Sequence, residues 1–157
     1  MSTPQPSDSP VLIFRTVSIE KMDAVLAACR ARWPQAPLAV LSSPNRKAEL
    51  LADPRVAEVV SVVLGPEGFP PRLGLSRRFA AVVVPLGNRR GSGYANVFTA
   101  ARSCSTGGHF LARYCAELQS VSRTGLWLRS TAETLLLALA LPFAWLAAAL
   151  LVPRDPR

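Results

Sequence analysis

At 157 residues the chain has the length for one domain with a buried core, and at 50% apolar and 18% charged residues it is neither a disordered chain nor one wholly embedded in lipid. Its formal charge of +8 suits an anionic membrane face, a phosphate-bearing ligand or nucleic acid. The arginines are scattered and no basic run interleaves with aromatics, which argues against nucleic acid as a partner.

Residues 1–10 are polar, rich in Ser and Pro, and lack the basic start and apolar run of a signal peptide. They read as a disordered leader, with the domain expected in the cytosol. Val11-Leu12-Ile13-Phe14 is a continuous apolar run that suits a strand covered on both faces of a parallel sheet. Ser18 stands where a helix N-cap would, and Met22, Val25, Leu26 and Cys29 follow on one helical face until Trp33-Pro34 closes the helix. Leu38 to Leu41 predicts a second strand, Ser42 to Asn45 a turn, and Lys47 to Leu51 a short helix ended by Asp53-Pro54. A third strand is expected within Val56 to Val63, where the residues are β-branched, followed by a Gly/Pro-rich connection from Gly65 to Pro71.

Phe79 to Leu86 is apolar throughout, as a central parallel strand requires, and runs into Gly87-Asn88-Arg89-Arg90-Gly91-Ser92-Gly93. Beyond it a helix is predicted from Tyr94 to Arg102, a turn at Ser105 to Gly108 and a weaker fifth strand from His109 to Cys115. Strands alternating with helices across short turns predict an α/β fold with a Rossmann-like parallel sheet.

Leu135 to Val152 carries eighteen residues without a charge. At 1.5 Å per residue these reach about 27 Å, close to the hydrocarbon thickness of a bilayer. The segment, with Trp145 inside it, is therefore expected to anchor the chain in membrane lipid. Pro142 leaves two geometries open, a spanning helix or a re-entrant hairpin. Arg113, Arg123 and Arg129 precede the segment, which puts the domain on the cytoplasmic side of the inner membrane. The expected layout is a leader (1–10), a Rossmann-like domain (11–118), a basic juxtamembrane linker (119–134), the membrane segment (135–152) and a short polar tail (153–157).

Three cysteines, Cys29, Cys104 and Cys115, form no C-x-x-C pair and read as reduced thiols. His109 matches no zinc spacing with them, so neither a metal site nor a cofactor is expected. In open parallel sheets ligands bind beyond the carboxyl ends of the strands. The candidate loops are therefore the one holding Arg15 and Ser18 and the one holding Asn88, Arg89, Arg90, Gly91 and Gly93, whose amides and guanidinium groups suit a phosphate or an anionic glycan. Neither a P-loop nor a dinucleotide fingerprint occurs. Asp23 and Glu20 are the acids near the first loop, but no catalytic set can be assembled around them or around the single histidine.

The run Val11 to Ser18, the helix ending Arg30-Ala31-Arg32-Trp33-Pro34, then Pro37 to Leu41, Leu51 to Val59 and Phe79 to Asn88 together resemble the N-terminal, acceptor-side half of glycosyltransferase family 9, heptosyltransferase-like enzymes of the GT-B fold. The resemblance covers residues 11–115. It implies a place in cell-envelope polysaccharide or lipopolysaccharide assembly, with a lipid-linked glycan or nucleotide-sugar as ligand and a glycosyltransferase or polymerase as protein partner. The family carries a Gly-Asp pair in its first loop, the Asp serving as base, whereas this chain reads Ser18-Ile19-Glu20-Lys21 and is shorter there. With the donor-binding half also not found, the expectation is a non-catalytic or partner-dependent relative. The alternatives are an active small transferase and a membrane-tethered nucleotide- or protein-binding regulatory module.

Overall fold

The computed structural model of the chain describes residues 9–65, 68–70, 72–88 and 93–151, with side chains at 133, 134, 137, 141 and 143–151 outside that description. In chain order the elements are β1 (Val11–Phe14), α1 (Ile19–Arg32), β2 (Leu38–Ser42), a 3-10 turn (Pro44–Arg46), α2 (Lys47–Leu51) and β3 (Val56–Ser61). There follow β4 (Phe79–Pro85), α3 (Ala95–Cys104), β5 (Ser105–Arg113), β6 (Glu117–Val121) and α4 (Arg123–Leu151).

The six strands form one sheet in the order β3-β2-β1-β4-β5-β6. All neighbours are parallel except β5 and β6, which are antiparallel. The architecture is Rossmann-like, and the strand order reverses between β1 and β4. Both faces of β1 are covered, so alternate residues enter different cores. Val11 and Ile13 pack under α1 with Met22, Val25, Leu26 and Cys29. Leu12 and Phe14 pack on the opposite face with Phe98, Ala101 and Leu126 of α3 and α4. Leu12, Ile13 and Phe14 are wholly buried, each worth about 1.5–3 kcal/mol of transfer free energy. The connection from β3 to β4 crosses the α3 face, forms no helix among its described residues, and is pinned by Phe69, whose ring meets that of Phe14 at 5.3 Å.

Two expectations are corrected, and one alternative left open is closed. Ser105 to Gly108 is not a turn but the start of β5, with Phe79 paired to Ser105 and Ala81 to Gly108. Its glycines serve close approach rather than reversal: a Cβ at Gly107 would lie 2.3 Å from the Ala80 carbonyl oxygen. Residues 119–134 are not a linker, because 117–121 form β6 and α4 starts at Arg123. An edge strand pairs on one side only and needs no apolar run, so Glu117-Leu118-Gln119-Ser120-Val121 carried no strong strand signal. Finally, α4 is one continuous helix with Pro142 inside it, not a re-entrant hairpin; proline removes one helical N–H but does not oblige the chain to reverse. Among the described residues no helix is long and apolar enough to cross a membrane. Val152 lies outside the described residues, as does the side chain of Trp145.

Candidate functional site

The strand reversal places the end of β1 beside the end of β4, and one hydrogen bond ties them together. The Thr16 hydroxyl, just after β1, donates to the Pro85 carbonyl at 2.5 Å. On the β4 side the Gly87 amide donates to the Tyr94 hydroxyl at 2.8 Å, and a Cβ at Gly87 would meet that oxygen at 3.2 Å. Arg15 and Ser18 stand at this carboxyl edge after β1, Asn88 after β4, and Gly93 in the turn leading into α3 with φ +83°. Arg89, Arg90 and Gly91 lie outside the described residues.

The other side of β1 holds a feature that sequence reasoning missed. Phe14 pairs with Leu41 and the Arg15 amide donates to the Leu41 carbonyl, so Arg15 and Ser42 are the next register neighbours on one face. Ser42 is 1% exposed, and neither its hydroxyl nor the buried Nε of Arg15 has a partner among the described residues. Buried polar groups are normally paired, so these two at neighbouring register positions leave hydrogen-bonding capacity unused at the ends of β1 and β2. The signal available beforehand was only that Ser42 ends a buried strand.

Charge around this point is mixed. Ser18 occupies the N-cap position of α1 without capping the backbone. Its hydroxyl instead bonds to Glu20, and with the charges of Arg46 and Arg15 this holds the Glu20 carboxyl below its usual range. Arg46, in the turn after β2, also bridges to Glu49 at 2.9 Å. Asp23, the other acid near the first loop, lies one turn further along α1 and bridges at 2.6 Å to Arg55, in the turn before β3. Of these two acids, Glu20 is the one that the fold leaves at the carboxyl edge, in the first turn of α1.

The cysteines do not contribute to this site. Burial pushes the Cys29 thiol up to about 12 and raises that of Cys104, so both stay protonated and inert. His109 is also buried, under α3 and α4, and burial lowers its pKa. Among the described residues no three His, Cys, Asp or Glu side chains converge to hold a metal ion.

No family model matches the chain, and no curated protein matches it. Among solved structures the E. coli ADP-heptose LPS heptosyltransferase II is similar at 18% identity and a TM-score of 0.40, over 56% of this chain and 28% of that one. The glycopeptide N-methyltransferase MtfA is similar at 16% identity and a TM-score of 0.39, over 66% of this chain and 45% of that one. An O-methyltransferase of a trans-AT PKS multienzyme of Brevibacillus brevis, in complex with S-adenosyl-L-homocysteine, is similar at 10% identity and a TM-score of 0.38, over 66% of this chain and 35% of that one. The chain spans less than half the length of each of these proteins. Divided between sugar and methyl transfer, likenesses of this order carry no argument for either chemistry.

Proposed function

We propose that this chain is a membrane-attached, glycosyltransferase-related module of cell-envelope polysaccharide or lipopolysaccharide assembly that binds a phosphorylated sugar and needs a partner protein for transfer. The observation that carries the binding site is the two unpaired buried groups, Arg15 Nε and Ser42 Oγ, on residues at neighbouring register positions at the carboxyl edge of a Rossmann-like sheet. Arg15 and Arg46 supply positive charge for a phosphate, while the ionised Glu20 accepts hydrogen bonds from sugar hydroxyls. A site bearing both signs suits a ligand bearing both groups. Arg89 and Arg90 extend the positive field in the sequence. The family resemblance over residues 11–115 supports the sugar-transfer setting. The charge-free stretch Leu135 to Val152 supports attachment to the inner membrane, and the preceding arginines support a cytoplasmic domain.

The test is binding and transfer by the full-length protein in lipid nanodiscs, offered nucleotide-sugars and a polyprenyl phosphate. Saturable binding is expected, weakened at least tenfold by Arg15→Ala and by Ser42→Val and more modestly by the double change at Arg89 and Arg90. Transferred product is expected only with a co-purified partner. Binding unchanged in Arg15→Ala and Ser42→Val would overturn the site. A second reading is an active small transferase, with Glu20, the carboxylate in the first turn of α1, as its base. Product made by the chain alone and abolished in Glu20→Gln would establish it.

A further inference from the structure

α3 follows β4, so it starts at the carboxyl edge of the sheet and ends at the amino edge. β6 returns antiparallel to β5, with Val121 beside His109, and delivers α4 to the amino half of the fold. There Arg102, near the end of α3, and Arg123, the first residue of α4, both act on His109. Leu126 enters the core shared with α3, and Trp127, Thr131 and Leu135 then line a groove with Arg102 and Thr99. α4 therefore runs antiparallel to α3, back toward the carboxyl edge.

The helix is much longer than its partner, 29 residues against 10. Leu135 lines the same groove as Thr99, and Leu139 follows one turn further along the helix. From Leu139 the helix continues to Leu151, about 18 Å further along its axis. Leu135, Leu136 and Leu139 are all more than 60% exposed as it leaves.

The same edge carries further exposed apolar groups. Val63 follows β3 at 81% exposure, and Tyr114 follows β5 at 68%. Tyr114 and Cys115 both have left-handed backbone, φ 51° and 63°, a conformation that non-glycine residues adopt only under strain. That strained turn holds an aromatic ring outward, and a tyrosine with one apolar and one wet end suits the headgroup layer. Arg46 and Lys47 stand exposed at the same edge after β2, three strands from β5. Basic residues such as Arg32 and Arg78 also stand at the amino edge, so charge does not choose between the edges; the direction of α4 does.

We infer that the carboxyl edge of the sheet lies against the bilayer surface, so that the ends of β1 and β2, where Arg15 and Ser42 stand, face the headgroup layer and take a phosphate from a lipid-borne ligand. The inference rests on the membrane attachment proposed above. The experiment uses full-length protein carrying one added cysteine, Val63→Cys or Tyr114→Cys at the carboxyl edge and Arg32→Cys or Arg78→Cys at the amino edge, each labelled with a fluorophore. The three native thiols are buried and stay unlabelled. Vesicles of phosphatidylethanolamine and phosphatidylglycerol carry a nitroxide on the headgroup, and flotation separates bound from free protein.

In the bound fraction, quenching at both carboxyl-edge positions is expected to exceed that at both amino-edge positions at least twofold. Two positions per edge keep the comparison valid if one variant fails to fold. Equal or reversed quenching in floated protein would overturn the orientation while leaving the attachment standing. Protein that does not float would overturn the attachment and the inference with it. A soluble sugar phosphate that binds as tightly as a polyprenyl phosphate held in the vesicle would overturn the lipid-borne ligand.

Discussion

Burial and charge act together on His109. Desolvation lowers its pKa first, the nearby cations of Arg123 and Arg102 add to this, and a hydrogen bond with the Ala101 backbone opposes them. The unfolded imidazole takes up its proton near the ordinary value of 6.5, whereas the folded one resists to lower pH. Its contribution to stability is therefore fully present above pH 6.5 and is lost as the pH falls through the folded value. The urea midpoint should fall as the pH is lowered from 7 to 5, and His109→Gln should flatten that dependence. Gly107 is a steric rather than an electrostatic constraint. With a Cβ forced to 2.3 Å from the Ala80 carbonyl, Gly107→Ala must move β5 away from β4, at a cost of about 1–3 kcal/mol. Chemical denaturation measures it, and a midpoint equal to that of the parent would show that the strands absorb the methyl group.

At the level of elements, Arg55 joins α1 to the turn before β3. Its guanidinium bonds to Asp53 Oδ2 and to Asp23 Oδ1, both at 2.6 Å. Asp53 is the more sheltered partner, and the hydrogen bond from Arg55 holds its carboxyl below the usual range. That contribution is present above the unfolded value of 3.8 and is lost as the pH falls through the folded one, a window well below that of His109. Arg55→Ala should cost roughly 1 kcal/mol and remove the acid-side step. Asp23→Asn, whose carboxylate is mostly exposed, should cost about 0.3 kcal/mol. A double-mutant cycle read by urea unfolding separates the two pairs, and a larger loss at Asp23 would reverse this ranking. The same pairing explains why Asp23 is unavailable to the carboxyl edge.

For the whole molecule, the proposed attachment makes the exposed leucines of α4 decisive. Leu136→Lys combined with Leu139→Lys should reduce vesicle binding at least tenfold with little change in the folding of the sheet, because both side chains already lie outside the core. Flotation together with thermal unfolding checks both halves, and undiminished flotation would place the contact elsewhere. The apolar runs at Val11, Leu38 and Phe79 determined the buried strands, and the helical face of Met22, Val25, Leu26 and Cys29 determined what covers one side of them, because burial on both faces leaves an unbroken apolar signature. The loop after β1 was legible for the same reason, since a Rossmann-like order fixes which edge the loops share. What only the tertiary structure decided was everything set by pairing between distant segments. These are the edge strand β6, the conversion of Ser105 to Gly108 from turn to strand, the register that sets Arg15 beside Ser42, and the direction in which α4 leaves the fold. Each depends on which strand or helix lies alongside, a contact between residues far apart in the chain that no local pattern encodes.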